Sequence, residues 1–233
     1  MFRADVAQGL WGVLVTDGSA AVPLQTLSRG ITALEVLAGA DTALSIGELA
    51  ARLGLHRSIV YRIVRTLEGH GLVSRDPAGD LKLGAGLATL ARNVSRDLQT
   101  AALPELTTLA HDLGMTAFLV VLDHHEAVTL VSVEPRAAFA AVAQRPGTRH
   151  SLDQGAPGRA VRRLVTREPG ESSYETSHGE VIPGLSCVAV PLEVPGQPPA
   201  ALAVVYLGGA DVDVEAIGDR LAQSAHRTRA GGF

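Results

Sequence analysis

The chain has 233 residues, enough for one or two domains, and 46% of them are hydrophobic, as in a globular protein. Its single cysteine excludes an intramolecular disulfide framework and a cysteine-rich zinc site. No apolar run approaches the roughly 20 residues that a membrane-spanning helix needs, and the N-terminus lacks the pattern of a secretory leader, so we expect a cytoplasmic protein.

The net charge of −4 argues at first against nucleic acid, but the charge is unevenly distributed. Residues 28–96 contain nine Lys or Arg and six Asp or Glu, whereas residues 97–233 contain ten and sixteen. A basic first part on an acidic body is compatible with DNA binding, because the body then does not adhere to phosphate non-specifically.

At the start of the chain, residues 1–26 show no pattern with a clear partner, and we expect a poorly ordered extension. From Leu27 onward, apolar residues at helical spacing predict a first helix, with Ser28 as its possible cap and Gly39 as its end. The predicted apolar stripe consists of Leu27, Ile31, Leu34 and Leu37.

The next segment has the pattern of a helix-turn-helix. Ser45 followed by Glu48 predicts a capping box at the start of a second helix, which ends at Gly54. Residues 56–70 predict a third helix with one apolar side and one presented polar side. The presented side carries Ser58, Tyr61, Arg62 and Arg65. Hydroxyl and guanidinium groups suit phosphate oxygens and guanine edges in a major groove.

Two short alternating segments, residues 72–75 and 81–83, surround a turn with Pro77 and Gly79 and predict a hairpin wing. Capping, turn, presented helix and wing in this order favour DNA binding, although the same geometry also occurs in modules that contact proteins. The predicted DNA-binding residues are Ser45, Arg57, Ser58, Tyr61, Arg62, Arg65, Arg75 and Lys82.

Beyond the wing, an apolar stripe predicts one connecting helix that pairs across a dimer; packing on the chain's own body is the alternative. The stripe consists of Leu83, Leu87, Leu90, Val94 and Leu98. Pro104 predicts the start of the next helix, which ends at Gly114. The expected domains are therefore residues 27–83 for the winged domain, 84–102 for the connecting helix and 103–233 for a second domain.

In the second domain, apolar segments alternate with turns. Residues 115–123 with 127–134, and 187–193 with 200–207, predict two hairpins, and the apolar pattern of residues 138–144 is compatible with a further strand. Helices are predicted over 159–167 and 212–227. This arrangement predicts an α+β domain with an antiparallel sheet, helices on one side and loops that hold a small ligand.

Three groups of residues are candidates for chemistry. His124, His125 and Glu126 lie in a hairpin turn where neighbours point apart, so we expect no metal site. Residues 177–180 (SHGE) are interpreted as a polar loop rather than a proton-transfer pair. Cys187 begins a buried strand and is expected to line a pocket or core, not to act as a nucleophile. The sequence has no phosphate-binding glycine loop, and we expect neither an enzyme nor a cofactor.

Four segments carry a resemblance to the IclR family of transcriptional regulators, over residues 24–229. They are residues 27–31 (LSRGI), 54–62 (GLHRSIVYR), 155–160 (GAPGRA) and 184–192 (GLSCVAVPL). The resemblance implies a dimer, or dimer of dimers, that binds double-stranded operator DNA through the winged domain, and a GAF-like domain that receives a small organic or aromatic acid. The effector-binding residues that it implies are Gly155, Ala156, Ser177, His178, Cys187, Val204 and Tyr206.

The sequence departs from the family pattern at several places. Ile59 stands where Thr or Ser is usual, and His56 where a small polar cap is common. The chain is shorter between residues 165 and 177, and Val204 and Tyr206 replace polar residues of the last strand. We therefore expect a more apolar or more open pocket. The leading hypothesis is a repressor controlled by a small acid. The alternatives are a winged-helix DNA-binding protein whose vestigial second domain only oligomerises, and a small-molecule-binding protein that does not bind DNA.

Overall fold

The computed structural model describes residues 24–136, 142–167, 172–209 and 212–231. The predicted extension therefore lies outside the described residues, except for residues 24–26. The helices are α1 Gln25–Ala38, α2 Ile46–Leu53, α3 Arg57–Gly69, α4 Gly86–Ala91, α5 Arg96–Leu113, α6 Ala156–Thr166 and α7 Val214–Ala230. The strands are β1 Val73–Arg75, β2 Leu81–Leu83, β3 Thr116–Asp123, β4 Glu126–Val133, β5 Arg149–Ser151, β6 Glu175–His178, β7 Leu185–Leu192 and β8 Ala200–Leu207.

The chain forms two compact units, of which the first ends at Asn93 and the second begins at Val94. In the first unit, α1, α2 and α3 enclose a core that includes Leu49 and Val60. Strands β1 and β2 pair antiparallel as the predicted wing, and Leu81 also exchanges two backbone hydrogen bonds with Leu44. The predicted winged helix-turn-helix is confirmed.

Helix α1 differs from its prediction. It begins at Gln25, so Ser28 lies inside the helix and does not cap it. Its buried side carries Ala33 and Leu37, whereas Leu27 and Ile31 are 60% and 50% exposed. The difference arises because α1 contacts α2 and α3 through the side on which the small Ala33 allows close approach.

The single connecting helix was a wrong prediction. Helix α4 has six residues, and α5 begins only at Arg96, after Ser95, which has a left-handed φ of 44°. Just before α4, Gly84 packs against the turn between α3 and β1, where a Cβ on Gly84 would lie 2.1 Å from the carbonyl oxygen of Gly71. Leu98 is fully buried in the core of the second unit, as the alternative of packing on the chain's own body requires.

Pro104 does not begin a helix, which corrects a second expectation. Helix α5 starts at Arg96, contains Pro104 in its interior and ends at Gly114 as predicted. Proline in a helix removes one i→i−4 hydrogen bond. Burial of Leu98, Leu106 and Leu109 along the same helix offsets this cost.

The second unit contains one six-stranded sheet in the order β5-β4-β3-β8-β7-β6, in which all pairs are antiparallel. Helices α5 and α7 contribute to the core on one face, and α6 contributes to the core on the other. The α+β fold class is confirmed, but the prediction of helices on one side was wrong. The reason is that β3, β7 and β8 are apolar on both faces, so each face needs a cover.

Strands β5 and β6 form the two edges of this sheet, and neither was predicted. Both are short and polar, so they lack the apolar alternation by which a strand is recognised in a sequence. The predicted third strand falls on residues 138–144, of which 138–141 lie outside the described residues.

Candidate functional site

Helix α3 presents the polar side that the sequence predicted. Val60 and Val64 are fully buried on its inner side, whereas Tyr61 is 51% exposed on the outer side. Arg62 and Arg65 are also exposed, and neither guanidinium group makes an ion pair within the described residues. These two cations can therefore bind an external anion or a base edge without losing an internal partner.

Ser45 holds the start of α2. Its hydroxyl accepts a hydrogen bond from the backbone N–H of Glu48 at 3.2 Å, and the Glu48 carboxylate accepts one from the Ser45 backbone N–H at 2.8 Å. The Ser45 backbone N–H is the main reason that the pKa of Glu48 is lowered. The predicted capping box is thus present, and the Ser45 hydroxyl already donates to Glu48 at 2.7 Å.

His56 caps α3 with its ring. The Nδ1 atom of His56 accepts the backbone N–H of Ser58 at 3.3 Å and lies 2.8 Å from the Ser58 hydroxyl oxygen. Accepting the N–H assigns the ring proton of neutral His56 to Nε2. An imidazole thus replaces the small polar cap expected here, and it engages the Ser58 hydroxyl that was predicted to contact DNA.

Arg57 crosses the first turn of α2. A Cβ on Gly47 would lie 2.8 Å from Nη2 of Arg57, so the glycine leaves the space in which this guanidinium group sits. Glycine is otherwise a costly residue inside a helix. Gly47 is explained by its contact with Arg57, whose guanidinium group lies against the first turn of α2.

The two predicted wing residues have different surroundings. Arg75 donates from Nε to Glu68 of α3 at 2.7 Å and from Nη1 to the carbonyl of Gly79 at 2.9 Å, so its guanidinium group joins α3 to the wing. Lys82 is exposed on β2. At the wing tip, the Asp76 carboxylate accepts the backbone N–H groups of Ala78 and Asp80, which fixes the turn.

The seven predicted effector residues do not share one face of the sheet. Ser177 pairs with Cys187, and Cys187 pairs with Val205, which belongs to the core cluster on the α6 face. Val204 is fully buried on the opposite face, among α5 and α7. His178 and Tyr206 lie on the same face as Val204 because each pairs directly with Ser186. Val204 is therefore part of the core rather than of a ligand surface.

Gly155 and Ala156 stand at the start of α6, where the structure places an ion-pair cluster that the sequence did not reveal. Gly155 has a φ of 80° and donates its backbone N–H to the Glu180 carboxylate at 3.0 Å. Arg159 binds both oxygens of Glu180, from Nη1 at 2.6 Å and from Nη2 at 3.1 Å. These guanidinium hydrogen bonds are the main reason that the pKa of Glu180 is lowered.

The cluster extends to β6. Glu175 lies 3.4 Å from Nε of Arg159 and accepts a hydrogen bond from Arg163 at 3.2 Å. It joins residues that are 12 to 25 positions apart in the chain, so no local spacing could have predicted it. An open cleft of about 420 Å³ lies beside it, lined by residues of β6, β7, β8 and the start of α7. In this cleft, Nδ1 of His178 lies 2.7 Å from the hydroxyl oxygen of Ser186.

His150 is the centre of a partly buried polar cluster that sequence reasoning also missed. Its Nε2 lies 2.9 Å from the hydroxyl oxygen of Thr129 and 3.0 Å from the amide nitrogen of Gln144, and its ring stacks on Phe118. Burial lowers the pKa of His150 to about 4. Cys187 is also buried, and burial raises the pKa of its thiol.

Within the residues that the structure describes, no group of three His, Cys, Asp or Glu side chains is placed to hold a metal ion. A search of the same residues finds no helix with the length and apolarity required to cross a bilayer.

Residues 26–77 match the family profile described as the IclR helix-turn-helix domain. The glycerol operon regulatory protein of Streptomyces griseus is 30% identical over 165 residues, which cover 69% of this chain and 61% of that protein. The chain spans about half to three-fifths of the length of the curated relatives it matches.

Two solved structures have a similar fold. An IclR transcriptional regulator from Alicyclobacillus acidocaldarius is 27% identical, with a TM-score of 0.73 and coverage of 89% of this chain and 98% of that chain. An IclR homolog from Microbacterium hydrocarbonoxydans, complexed with 4-hydroxybenzoate, is 23% identical, with a TM-score of 0.72 and coverage of 88% and 98%.

The capped helix pair, the presented side of α3 and the wing define the first unit as a winged helix-turn-helix. The proteins that match this chain in sequence and fold are transcriptional regulators. Residues 26–77 belong to the IclR helix-turn-helix family, and the chain as a whole is similar to IclR regulators in sequence and fold.

Proposed function

We propose that this protein is a cytoplasmic transcriptional repressor that binds operator DNA as a dimer and whose operator affinity is controlled by a small organic or aromatic acid. The observation that carries the DNA-binding part is the outer side of α3, where Tyr61, Arg62 and Arg65 are exposed. A helix that presents a phenol and two guanidinium groups offers the donors that read guanine edges and bind phosphate in a major groove.

Within the predicted DNA-binding set, the structure supports two classes of role. Tyr61, Arg62, Arg65 and Lys82 are exposed and are proposed to contact DNA directly. Ser45, Ser58 and Arg75 make hydrogen bonds within the unit and are proposed to act mainly by fixing the shape that α3 and the wing present. Arg57 is proposed to contact a phosphate near the start of α2, where its guanidinium group lies.

The dimer is proposed from the family and from an exposed apolar side of α1. Leu24, Leu27 and Ile31 follow one another at spacings of three and four residues, and at least half of each is exposed. An apolar helix side of this kind is favoured where a second subunit covers it. Two copies would then present two α3 helices to half-sites about one turn of DNA apart.

The effector part of the proposal is supported by the fold of the second unit and by the 4-hydroxybenzoate complex of the Microbacterium homolog. A small aromatic acid is therefore the first compound class to test. A second candidate function, a DNA-binding protein whose second domain only oligomerises, is favoured by the positions of the seven predicted effector residues, which are divided between two faces of the sheet.

The test begins with purified full-length protein and a pool of randomised duplexes, from which bound DNA is enriched and sequenced. We expect enriched duplexes to share two related half-sites. Arg62→Ala should then weaken binding to the enriched site by about 1–3 kcal/mol if Arg62 reads a base, and should relax sequence preference there. Lys82→Ala should weaken binding to all duplexes alike. It should also reduce the slope of log affinity against log salt concentration by about one, the change expected when one phosphate contact is lost.

Arg145→Ala is the matched control, because Arg145 is also an exposed arginine but lies in the second unit. It should leave operator affinity unchanged. Failure to enrich any sequence, together with equal effects of the Arg62 and Arg145 variants, would contradict sequence-specific DNA binding.

The effector is tested with the enriched operator, to which binding is measured as benzoate or 4-hydroxybenzoate is added. A change in operator affinity supports the acid-controlled regulator, and no change with any acid supports the second candidate.

A further inference from the structure

The contact between His56 and Ser58 lies at the start of α3, among the exposed residues proposed to face DNA. Nδ1 of His56 accepts the backbone N–H of Ser58 at 3.3 Å, and the Ser58 hydroxyl oxygen lies 2.8 Å from the same nitrogen. An imidazole nitrogen that accepts a hydrogen bond from an N–H carries a lone pair and no proton. The hydroxyl contact is therefore a hydrogen bond in which the Ser58 O–H donates to the ring.

This hydrogen bond gives the Ser58 hydroxyl a direction. A serine hydroxyl has one proton and two lone pairs, and it rotates to suit either a donor or an acceptor. Here the proton is used by His56, and the hydroxyl makes no other hydrogen bond within the residues that the structure describes. Because Ser58 is exposed, its oxygen presents lone pairs, and no proton, to a molecule that approaches α3.

The position of Ser58 on α3 is that of a base-reading residue. Ser58 is the second residue of the helix and stands four residues before Arg62. Side chains at this spacing are neighbours on one side of a helix. The N-terminal residues of a recognition helix are the ones that contact base edges in the major groove. We therefore expect Ser58 to contact a base close to the one that Arg62 reads.

The four bases differ in what they offer to such an oxygen. In the major groove, adenine presents its N6 amino group and cytosine its N4 amino group as donors, whereas guanine O6 and thymine O4 are acceptors. A freely rotating serine hydroxyl is compatible with both kinds of base. An oxygen that can only accept binds the amino groups, and it leaves guanine O6 or thymine O4 without a donor, which costs free energy.

From these observations we infer that Ser58, in addition to its part in the shape of α3, selects adenine or cytosine over guanine or thymine at one position of each half-site. His56 is the positioning residue that imposes this choice on the hydroxyl. The inference rests on the proposed DNA-binding function. It gives the imidazole at position 56 two roles, because the ring both caps α3 and fixes the direction of a base-reading group.

The test compares the base preferences of wild type and variants by enrichment from the pool of randomised duplexes. His56→Ser removes the ring nitrogen but keeps a residue that is favoured as a helix cap. We expect wild type to favour adenine or cytosine at one position by about fivefold, the effect of one ordinary hydrogen bond. His56→Ser should accept all four bases there. Ser58→Ala should lose the same preference, and both variants should keep the preference that depends on Arg62.

His70→Ser is the matched control, because His70 is also an exposed histidine and stands at the other end of α3. It should leave the preference unchanged. A base analogue tests the contact at the level of one amino group: purine replaces a favoured adenine, or 2-pyrimidinone a favoured cytosine. The affinity of wild type for the analogue duplex should be about fivefold lower than for the parent duplex. The affinity of Ser58→Ala should be equal for the two duplexes.

A measurement without DNA tests the direction of the hydrogen bond itself. Nitrogen-15 chemical shifts distinguish a ring nitrogen that carries a proton from one that does not. The signals of His56, among those of eight histidines, are identified by their absence in His56→Ser. At about pH 8.5, where imidazole is ordinarily neutral, we expect the proton on Nε2. A proton on Nδ1 would overturn the inference, because Ser58 would then accept from the ring and keep its own proton free for a base.

Identical base preferences of wild type and His56→Ser on an enriched operator would also overturn the inference, and would leave the proposed function intact. Failure to enrich any sequence would instead contradict the proposed function, while the spectrum of the ring still decides the direction of the Ser58 hydroxyl. The two failures are therefore distinguishable.

Discussion

Burial determines the charge of His150. The ring packs against Phe118, with Thr129 and Gln144 at Nε2, and burial lowers its pKa from 6.5 to about 4. The unfolded chain then takes up this proton at a higher pH than the folded chain does. Folding stability is therefore lost as the pH falls through the window from about 6.5 to about 4.

We expect the free energy of unfolding to decrease by about 2 kcal/mol between pH 7 and pH 5 on account of His150. Urea titrations of wild type and His150→Gln at the two pH values measure it, since the amide keeps a polar side chain but cannot titrate. The carboxylates contribute equally to both proteins and cancel in the comparison. An identical pH dependence in the variant would show that His150 is not the group responsible.

Cys187 provides a second residue-scale prediction. The thiol is 8% exposed and its pKa is raised by burial, so little thiolate is present and little surface is available. We expect a disulfide reagent at pH 8 to react slowly with the folded protein and rapidly in denaturant. The reason is that each unit by which the pKa of the thiol is raised lowers the fraction of reactive thiolate about tenfold. The chain has one cysteine, so the signal has one source. Equal rates in the two conditions would contradict this.

At the scale of elements, α3 and the wing are joined by Arg75. The same guanidinium group binds Glu68 on the helix and the Gly79 carbonyl at the wing tip. The tip itself carries Asp76 and Asp80, which would repel phosphate. Arg75 is therefore interpreted as a support for the wing, although the sequence had suggested a direct DNA contact.

This interpretation predicts that Arg75→Ala and Glu68→Ala have similar effects. Each removes one half of the helix-to-wing contact, so each should weaken operator binding by a similar factor and leave its salt dependence unchanged. Binding isotherms at three or more salt concentrations check this. If Arg75 instead binds phosphate, Arg75→Ala should reduce the slope of log affinity against log salt concentration by about one, because one phosphate contact is lost. Glu68→Ala should leave that slope unchanged.

At the scale of the whole molecule, the two compact units have separate cores, and their boundary falls between Asn93 and Val94. Residues 92–95 are not helical, and Arg92 and Arg96 on either side of the boundary are exposed. A protease that cleaves after arginine should find this segment more readily than the arginines within α3, because cleavage requires local unfolding of helices.

We expect brief trypsin treatment to produce a fragment that begins at Asn93, identified by intact-mass spectrometry. Arg92→Gln is the matched variant and should remove that fragment while other early cleavages continue. Cleavage after Arg62 or Arg65 at the same rate as after Arg92 would contradict the division into two stable units.

The helix-turn-helix could be predicted because its signals are local. A capping box is complete within four residues, as Ser45 and Glu48 show, and helix amphipathicity within two turns, as on α3. The same holds for the two long hairpins of the second unit, whose apolar strands carry their own alternation and turns. The division of charge between the two parts of the chain was also readable from the sequence alone.

Only tertiary structure decided the features that depend on contacts between distant residues. The predicted connecting helix is interrupted at Ser95, which has a left-handed backbone conformation, and Val204 faces the core because sheet register, not composition, assigns each residue to a face. The Glu180 cluster joins residues 21 to 25 positions apart through an edge strand that has no apolar pattern. Local spacing determines helices and turns; the partners of a charge are determined by the folding of the chain around it.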